Sequence, residues 1–119
     1  MNKTELQERT RKFAIRVFKV VDRLPKSKAA DVIAYQLLKS SSSVAANYRA
    51  VNRAKSKADF ANKLKVVLEE SDESNFWLSF LLDVDLVDRS EELSSLIKES
   101  DEFVAMFTSA IKTINSSKS

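Results

Sequence analysis

Residues 36–78 read QLLKSSSSVAANYRAVNRAKSKADFANKLKVVLEESDESNFWL. The stretch contains neither glycine nor proline. Leu37, Ser40 and Val44 recur at helical spacing in its first part, and Phe60, Leu64, Val67, Ser71, Ser74 and Leu78 do so in its second. Such a three-and-four rhythm marks a helix with one inward face. Between the two runs the pattern lapses over Asn52 to Lys55. Ser56, followed by Asp59, then supplies a start signal like a capping box, although aspartate is shorter than the usual glutamate. Two long helices joined by so short a connection must lie side by side and antiparallel.

Working outward, the same rhythm extends in both directions. Upstream, Leu6, Thr10, Phe13, Val17, Val20 and Leu24 define a first helix over about 4–23. Leu24-Pro25-Lys26 breaks it, because proline disfavours a helical residue before it. Ser27 caps the second helix, over 28–51, with Ala30 and Ile33 joining its inward face. Downstream, Leu81 continues the third helix, over 57–84, and Asp85 to Arg89 turns the chain. Ser90 with Glu91 and Glu92 opens a fourth helix over 91–115, since anions favour a helix start. Leu93, Ile97, Ser100, Val104, Phe107, Ile111 and Ile114 line it, and Ser116 to Ser119 are expected to fray. The expected fold is all-α, an antiparallel up-down-up-down four-helix bundle formed as one domain by residues 1–119. At mid-height its inward stripe is small and polar: Ser40, Ser71, Ser74 and Ser100. Tight helix packing and a polar pocket are both open readings of that layer.

Composition removes most chemistries. The chain has no glycine, histidine or cysteine and one proline. A Gly-rich phosphate loop is therefore impossible, and so are His/Cys zinc sites, cysteine nucleophiles and histidine-based triads. No cofactor and no enzymatic activity are expected. The longest strongly apolar run, Phe76 to Leu82, is far short of the ~20 residues of a membrane span. MNKTELQERTRK at the N-terminus lacks an apolar signal core, which leads to the expectation of a cytoplasmic protein without membrane contact. The net charge of +3 hides an asymmetry: residues 1–65 carry 16 Lys and Arg against 5 Asp and Glu, residues 66–119 carry 4 against 12. Such a chain can neutralise itself in the fold, bind a polyanion, or pair head to tail with its own copies.

Residues 36–78 also resemble a known family. Gln36, Leu37, Ser40, Ser43, Val44, Ala46 and Asn47 fit its motif Q-L-x-R-S-x-x-S-I/V-x-A-N. Ser56, Asp59 and Phe60 fit S-x-x-D/E-F, and Glu70, Glu73, Trp77 and Leu78 fit E-A-x-E-x-x-Y-W-L. The family is that of bacterial four-helix-bundle proteins whose founding members are encoded in intervening sequences of 23S ribosomal RNA genes. Lys39 departs from the family's arginine, Ala45 from a common glycine and Ala50 from a frequent acid. Lysine cannot reproduce a bidentate arginine contact. The resemblance implies a homo-oligomer, since relatives form pentameric barrels. It also implies a nucleic-acid role, because one basic branch accompanies the reverse transcriptase of diversity-generating retroelements. For most members the biochemical function is unassigned.

Three groups of residues are candidate sites. Lys39 and Asn47, eight apart on the second helix, and Glu70 and Glu73, three apart on the third, are expected to form an interhelix polar network through a Lys39–Glu70 or Lys39–Glu73 contact. Paired carboxylates do acid–base work elsewhere, but no nucleophile or metal cage accompanies these. Lys12, Arg16, Lys19 and Arg23 form a basic stripe on the first helix, and Arg49, Arg53, Lys55 and Lys57 cluster near the second turn. They suit phosphates of RNA or DNA, a solvated face, or pairing with a neighbour's acidic fourth helix. Val66, Phe76 and Phe80, with Trp77 at the edge, lie opposite the core stripe of the third helix and are expected to form an oligomer interface. Ala14, Phe18 and Val21 widen the apolar face of the first helix. A scaffold or adaptor is the expected function, with a protein–protein interaction module lacking nucleic-acid contact as the alternative.

Overall fold

A computed structural model describes residues 1–116. Four helices account for the fold: α1 (Lys3–Val21), α2 (Lys28–Val51), α3 (Lys57–Asp83) and α4 (Glu91–Ser116). Fraying is expected over Ser116 to Ser119, but Ser116 still belongs to α4, and residues 117–119 lie outside the described residues. Each start is fixed by a side chain that accepts an otherwise orphaned backbone N–H. Asn2 accepts from Glu5, Ser27 from Ala30, Ser56 from Asp59 and Ser90 from Leu93, all at 2.9–3.0 Å. Asp59 is too short to reach back to its own cap and instead accepts from the backbone N–H of Lys55 at 3.0 Å.

The helix ends differ slightly from the sequence expectation. α1 stops at Val21, two residues early, and Arg23 and Leu24 donate to Val20 and Val21 in tightened turns ahead of Pro25. The end of α3 needs a left-handed residue, and without glycine the chain uses Asp85, at φ 55°. The backbone N–H of Leu86 donates to the carbonyl of Leu81 at 3.3 Å, and that of Asp85 to Leu82 at 3.1 Å. This is the Schellman pattern, and Leu86 packs onto the core beside it.

Helices adjacent in sequence are adjacent in space, and α1 and α4 close the ring along a looser seam. The result is a rod of 50 × 23 × 20 Å. Phe13, Val17, Leu37, Val44, Val67, Leu78, Leu81, Leu96 and Phe103 are fully buried in its core. Burial of each such side chain stabilises the fold by about 1.5–3 kcal/mol. The expected stripes of α1, α2 and α3 all face inward. On α4 the inward face is rotated: Leu96 and Phe103 are fully buried, while Ile97 and Val104 are only half-buried. Both positions of each adjacent pair are apolar, so packing against α1 and α3 decides which turns in.

The serine layer is a packing device. Ser40, Ser71, Ser74 and Ser100 are buried, and every hydroxyl is used. Ser74 Oγ donates to Ser40 Oγ at 2.9 Å across the α2–α3 interface. Ser71 and Ser100 donate back to the carbonyls of Val67 and Ile97. A hydroxyl satisfied by its own helix carries little desolvation penalty and leaves room for the neighbouring helix.

Candidate interaction surfaces

Charge is spent first along the α1–α4 seam. Arg9 pairs with Glu99, its Nε donating to Oε2 at 3.0 Å, while its guanidinium lies 5.4 Å from the centre of the Phe103 ring. Arg16 pairs with Glu92 and also donates to Ser95 Oγ at 2.8 Å. Arg16 is therefore not a free member of the basic stripe. Its acid belongs to the same chain, not to a neighbour. The Arg16 hydrogen bonds hold the Glu92 carboxyl below its ordinary range, with help from Arg23 and Lys19 nearby. Arg9–Glu99 and Arg16–Glu92 are one heptad apart on both helices. That matched spacing in an antiparallel pair was the signal available in the sequence.

Lys12, Lys19 and Arg23 remain exposed and form no ion pair among the described residues. The same holds for Arg49, Arg53, Lys55 and Lys57, which sit where α2 hands over to α3. This end of the rod is tied to the start of α1, because Asn52 Nδ2 donates to Gln7 Oε1 at 2.9 Å.

The expected polar network does not form as a bonded set. Asn47 Nδ2 donates to the carbonyl of Ser43 at 2.8 Å on its own helix, and Glu73 receives a long contact of 3.5 Å from the Trp77 indole. No hydrogen bond or ion pair among the described residues joins Lys39 to Glu70 or Glu73. Lys39 and Glu73 are exposed, and an exposed pair gains little over solvation by closing. The groups are nevertheless close enough to feel one another. Burial raises the Glu70 carboxyl above its ordinary range, Glu73 raises it further, and Lys39 opposes the shift.

The outer face of α3 carries a ring cluster. Phe76 meets Trp77 edge-on at 4.9 Å and stacks on Phe80 at 5.5 Å, and Trp77 meets Phe80 edge-on at 5.6 Å. Phe76 is 53% exposed and Val66 40%. A second apolar surface lies between α1 and α2, a groove of about 750 Å³ floored by Ala14, Ile15, Phe18, Leu38, Ala45 and Ala46. Small residues on both helices leave this space open. Arg11, Lys19 and Arg49 stand on its rim, with Asp22 as the acidic exception. The α1 wall was legible in the sequence from Ala14, Phe18 and Val21. The α2 wall was not, because Leu38, Ala45 and Ala46 interrupt no rhythm.

Among the described residues no group of three or more Asp or Glu is placed to hold a metal ion, and no helix is long and apolar enough to cross a membrane. The family model for the 23S rRNA-intervening sequence protein matches residues 2–109. A crystal structure from Bacteroides thetaiotaomicron, of a protein of unknown function from the S23 ribosomal protein family, is similar at 31% identity and a TM-score of 0.82. The similarity covers 94% of this chain and 99% of that one. Comparison with curated proteins gives no match.

Proposed function

The chain belongs to the family of 23S rRNA-intervening sequence proteins, and from that premise we propose that it is a non-enzymatic, self-associating scaffold. The observation that carries this reading is the Phe76–Trp77–Phe80 cluster on the outer side of α3, in which Phe76 stands exposed while Trp77 and Phe80, half-buried, pack back onto the core. A four-helix protomer has no inner use for a second apolar face on one helix. Clustered exposed aromatics are the usual core of an association surface. Five copies is the number that the family resemblance supports. Light scattering at micromolar concentration tests the reading. A mass above that of a dimer is expected, Phe80→Glu lowers it with helicity retained, and a monomer mass for the unaltered protein overturns it.

A second role is supported by the cations that form no ion pair among the described residues. Arg49, Arg53, Lys55 and Lys57 crowd one end of each protomer, and Lys12, Lys19 and Arg23 run along α1. Self-association multiplies them, so weak phosphate contacts add through avidity. The scaffold then binds RNA or DNA with little sequence preference in the cytoplasm, alone or beside a protein partner such as a reverse transcriptase. Binding falls steeply with salt. Arg53→Glu with Lys55→Glu weakens it for all sequences alike, and neither residue takes part in an ion pair among the described residues. Absence of binding at about 50 mM salt, where phosphate contacts are strong, leaves a protein–protein interaction module as the role.

A further inference from the structure

We propose that the aromatic ridge of α3 on one copy seats in the α1/α2 groove of a second copy, in a head-to-tail contact between two different surfaces. The proposal rests on the self-association reading and names the surface that receives the ridge. Within one copy α1 and α3 stand diagonally across the bundle, and Phe76 on the ridge faces outward, so a ridge cannot fill its own groove.

Size, chemistry and charge all match. The ridge from Val66 to Phe80 and the α1 wall of the groove from Gln7 to Val21 have equal residue spans, about 21 Å each at 1.5 Å per residue. Large rings stand on the ridge, whereas the groove is made by Ala14, Ala45 and Ala46 and leaves Ile15 and Phe18 43% and 44% exposed. Glu69, Asp72, Glu73 and Asp83 are exposed and share the outward side of α3 with Phe76 and Phe80 at helical spacing. Lys65 is the one cation there. The groove rim presents Arg11, Lys19 and Arg49 against the single acid Asp22. Ridge against ridge would bring four acids of each copy together, which like-charge repulsion opposes. Ridge in groove pairs acids with bases. Because the two surfaces differ, a pair of copies joined this way still has one free groove and one free ridge for further neighbours, and the contact repeats until it closes.

Two variants and their mixture test this. Phe76→Glu breaks the ridge, and Ala46→Trp fills the groove from an exposed position. Each alone is expected to lose the assembly, with the concentration for half-association rising about tenfold or more, as for a central interface residue. Circular dichroism on each variant reports whether the helices survive. Mixed in equal amounts, the two should form a heterodimer and nothing larger, since one supplies the only intact ridge and the other the only intact groove. Arg49→Glu should weaken the wild-type assembly without touching the apolar floor. Assembly of Ala46→Trp at wild-type strength, or a mixture that stays monomeric, overturns the ridge-in-groove contact and leaves self-association standing. A monomeric wild-type protein overturns both.

Discussion

Between α2 and α3 the facing residues at mid-height are serines, and between α1 and α4 they are phenylalanines. Ser40 and Ser74 are small enough for their hydroxyls to meet at 2.9 Å, so these two helices pack closely along their length. Phe13 meets Phe103 edge-on with ring centres 5.3 Å apart, and Phe107 stacks beside Phe103 at 5.9 Å. Those rings hold α1 and α4 apart, and the axis separation of packed helices follows the side chains between them. The wider seam is bridged at its rim by long side chains, Arg9 to Glu99 and Arg16 to Glu92. One interface buries small neutral polar groups, and the other fills with rings and keeps its charges at the edge. The comparison also explains where the opposite charges of the two halves of the chain go: part of each is consumed at the seam joining the first helix to the last.

The ring-filled seam is the easier of the two to break. Phe103→Ala deletes a fully buried ring in contact with Phe13, Phe107 and Arg9, and should cost about 3–5 kcal/mol. Urea denaturation measures it. A loss below about 1 kcal/mol, far under what removal of a buried aromatic ring costs, would mean that the rings do not space the seam. The close interface should fail in the opposite direction, by addition. Ser74→Leu forces bulk between α2 and α3 and should cost about 1–3 kcal/mol. Ser74→Ala keeps the close approach and removes one neutral hydrogen bond, so its cost should stay near 1 kcal/mol. If leucine were tolerated as well as alanine, the serine layer would not be what brings these helices together.

The two interfaces were not equally legible in the sequence. Ser40, Ser71 and Ser74 fell on an unbroken helical rhythm, and Ser27, Ser56 and Ser90 marked the starts of three helices, because capping and periodicity are local. On α4 the rhythm selects Ile97 and Val104, each one position beyond the residue that is buried, Leu96 and Phe103. Leu96–Ile97 and Phe103–Val104 are adjacent apolar pairs, and only contact with another helix chooses between them. Lys39, Glu70 and Glu73 were placed near one another by spacing, yet whether they bond depends on exposure, which spacing does not fix. Arg16 reads in the sequence as one of a basic stripe, open to solvent, phosphate or a neighbour's acids, because its partner Glu92 lies far along the chain. The ring cluster on α3 was legible for a different reason. An apolar residue opposite a core stripe needs no tertiary information to stand out.

Double-mutant cycles sharpen the seam itself. Arg9 and Glu99 are 26% and 18% exposed, Arg16 and Glu92 32% and 45%. Coupling in the first pair should reach about 1 kcal/mol, the upper end for partly exposed pairs, and in the second about 0.2–0.5 kcal/mol. Both should shrink as salt rises. Equal couplings would show that burial of Arg9 against Phe103 adds nothing.

The smallest expected effects separate the two interfaces by sign. Glu92, on the α1–α4 seam, has its carboxyl held down by Arg16. A group bound more weakly to protons in the folded state adds stability above its ordinary value, and that contribution is lost as pH falls through the folded value. Glu70, beside α2, is pushed up by burial and by Glu73. Its folded form binds the proton more tightly, so stability drops as pH rises from its ordinary value through the raised one. Glu92→Gln should therefore lower the melting temperature at pH 7 and leave it unchanged at pH 3. Glu70→Gln should raise it at pH 7 and likewise leave it unchanged at pH 3. Each change should correspond to no more than about 0.5 kcal/mol of stability, the range of surface substitutions, because solvent screens both groups. Melts of the two variants between pH 3 and 7 decide it. Shifts of the same sign would mean that Glu70 has found a cation in solution, for which Lys39 is the nearest source, and the polar seam between α2 and α3 would then be bonded after all.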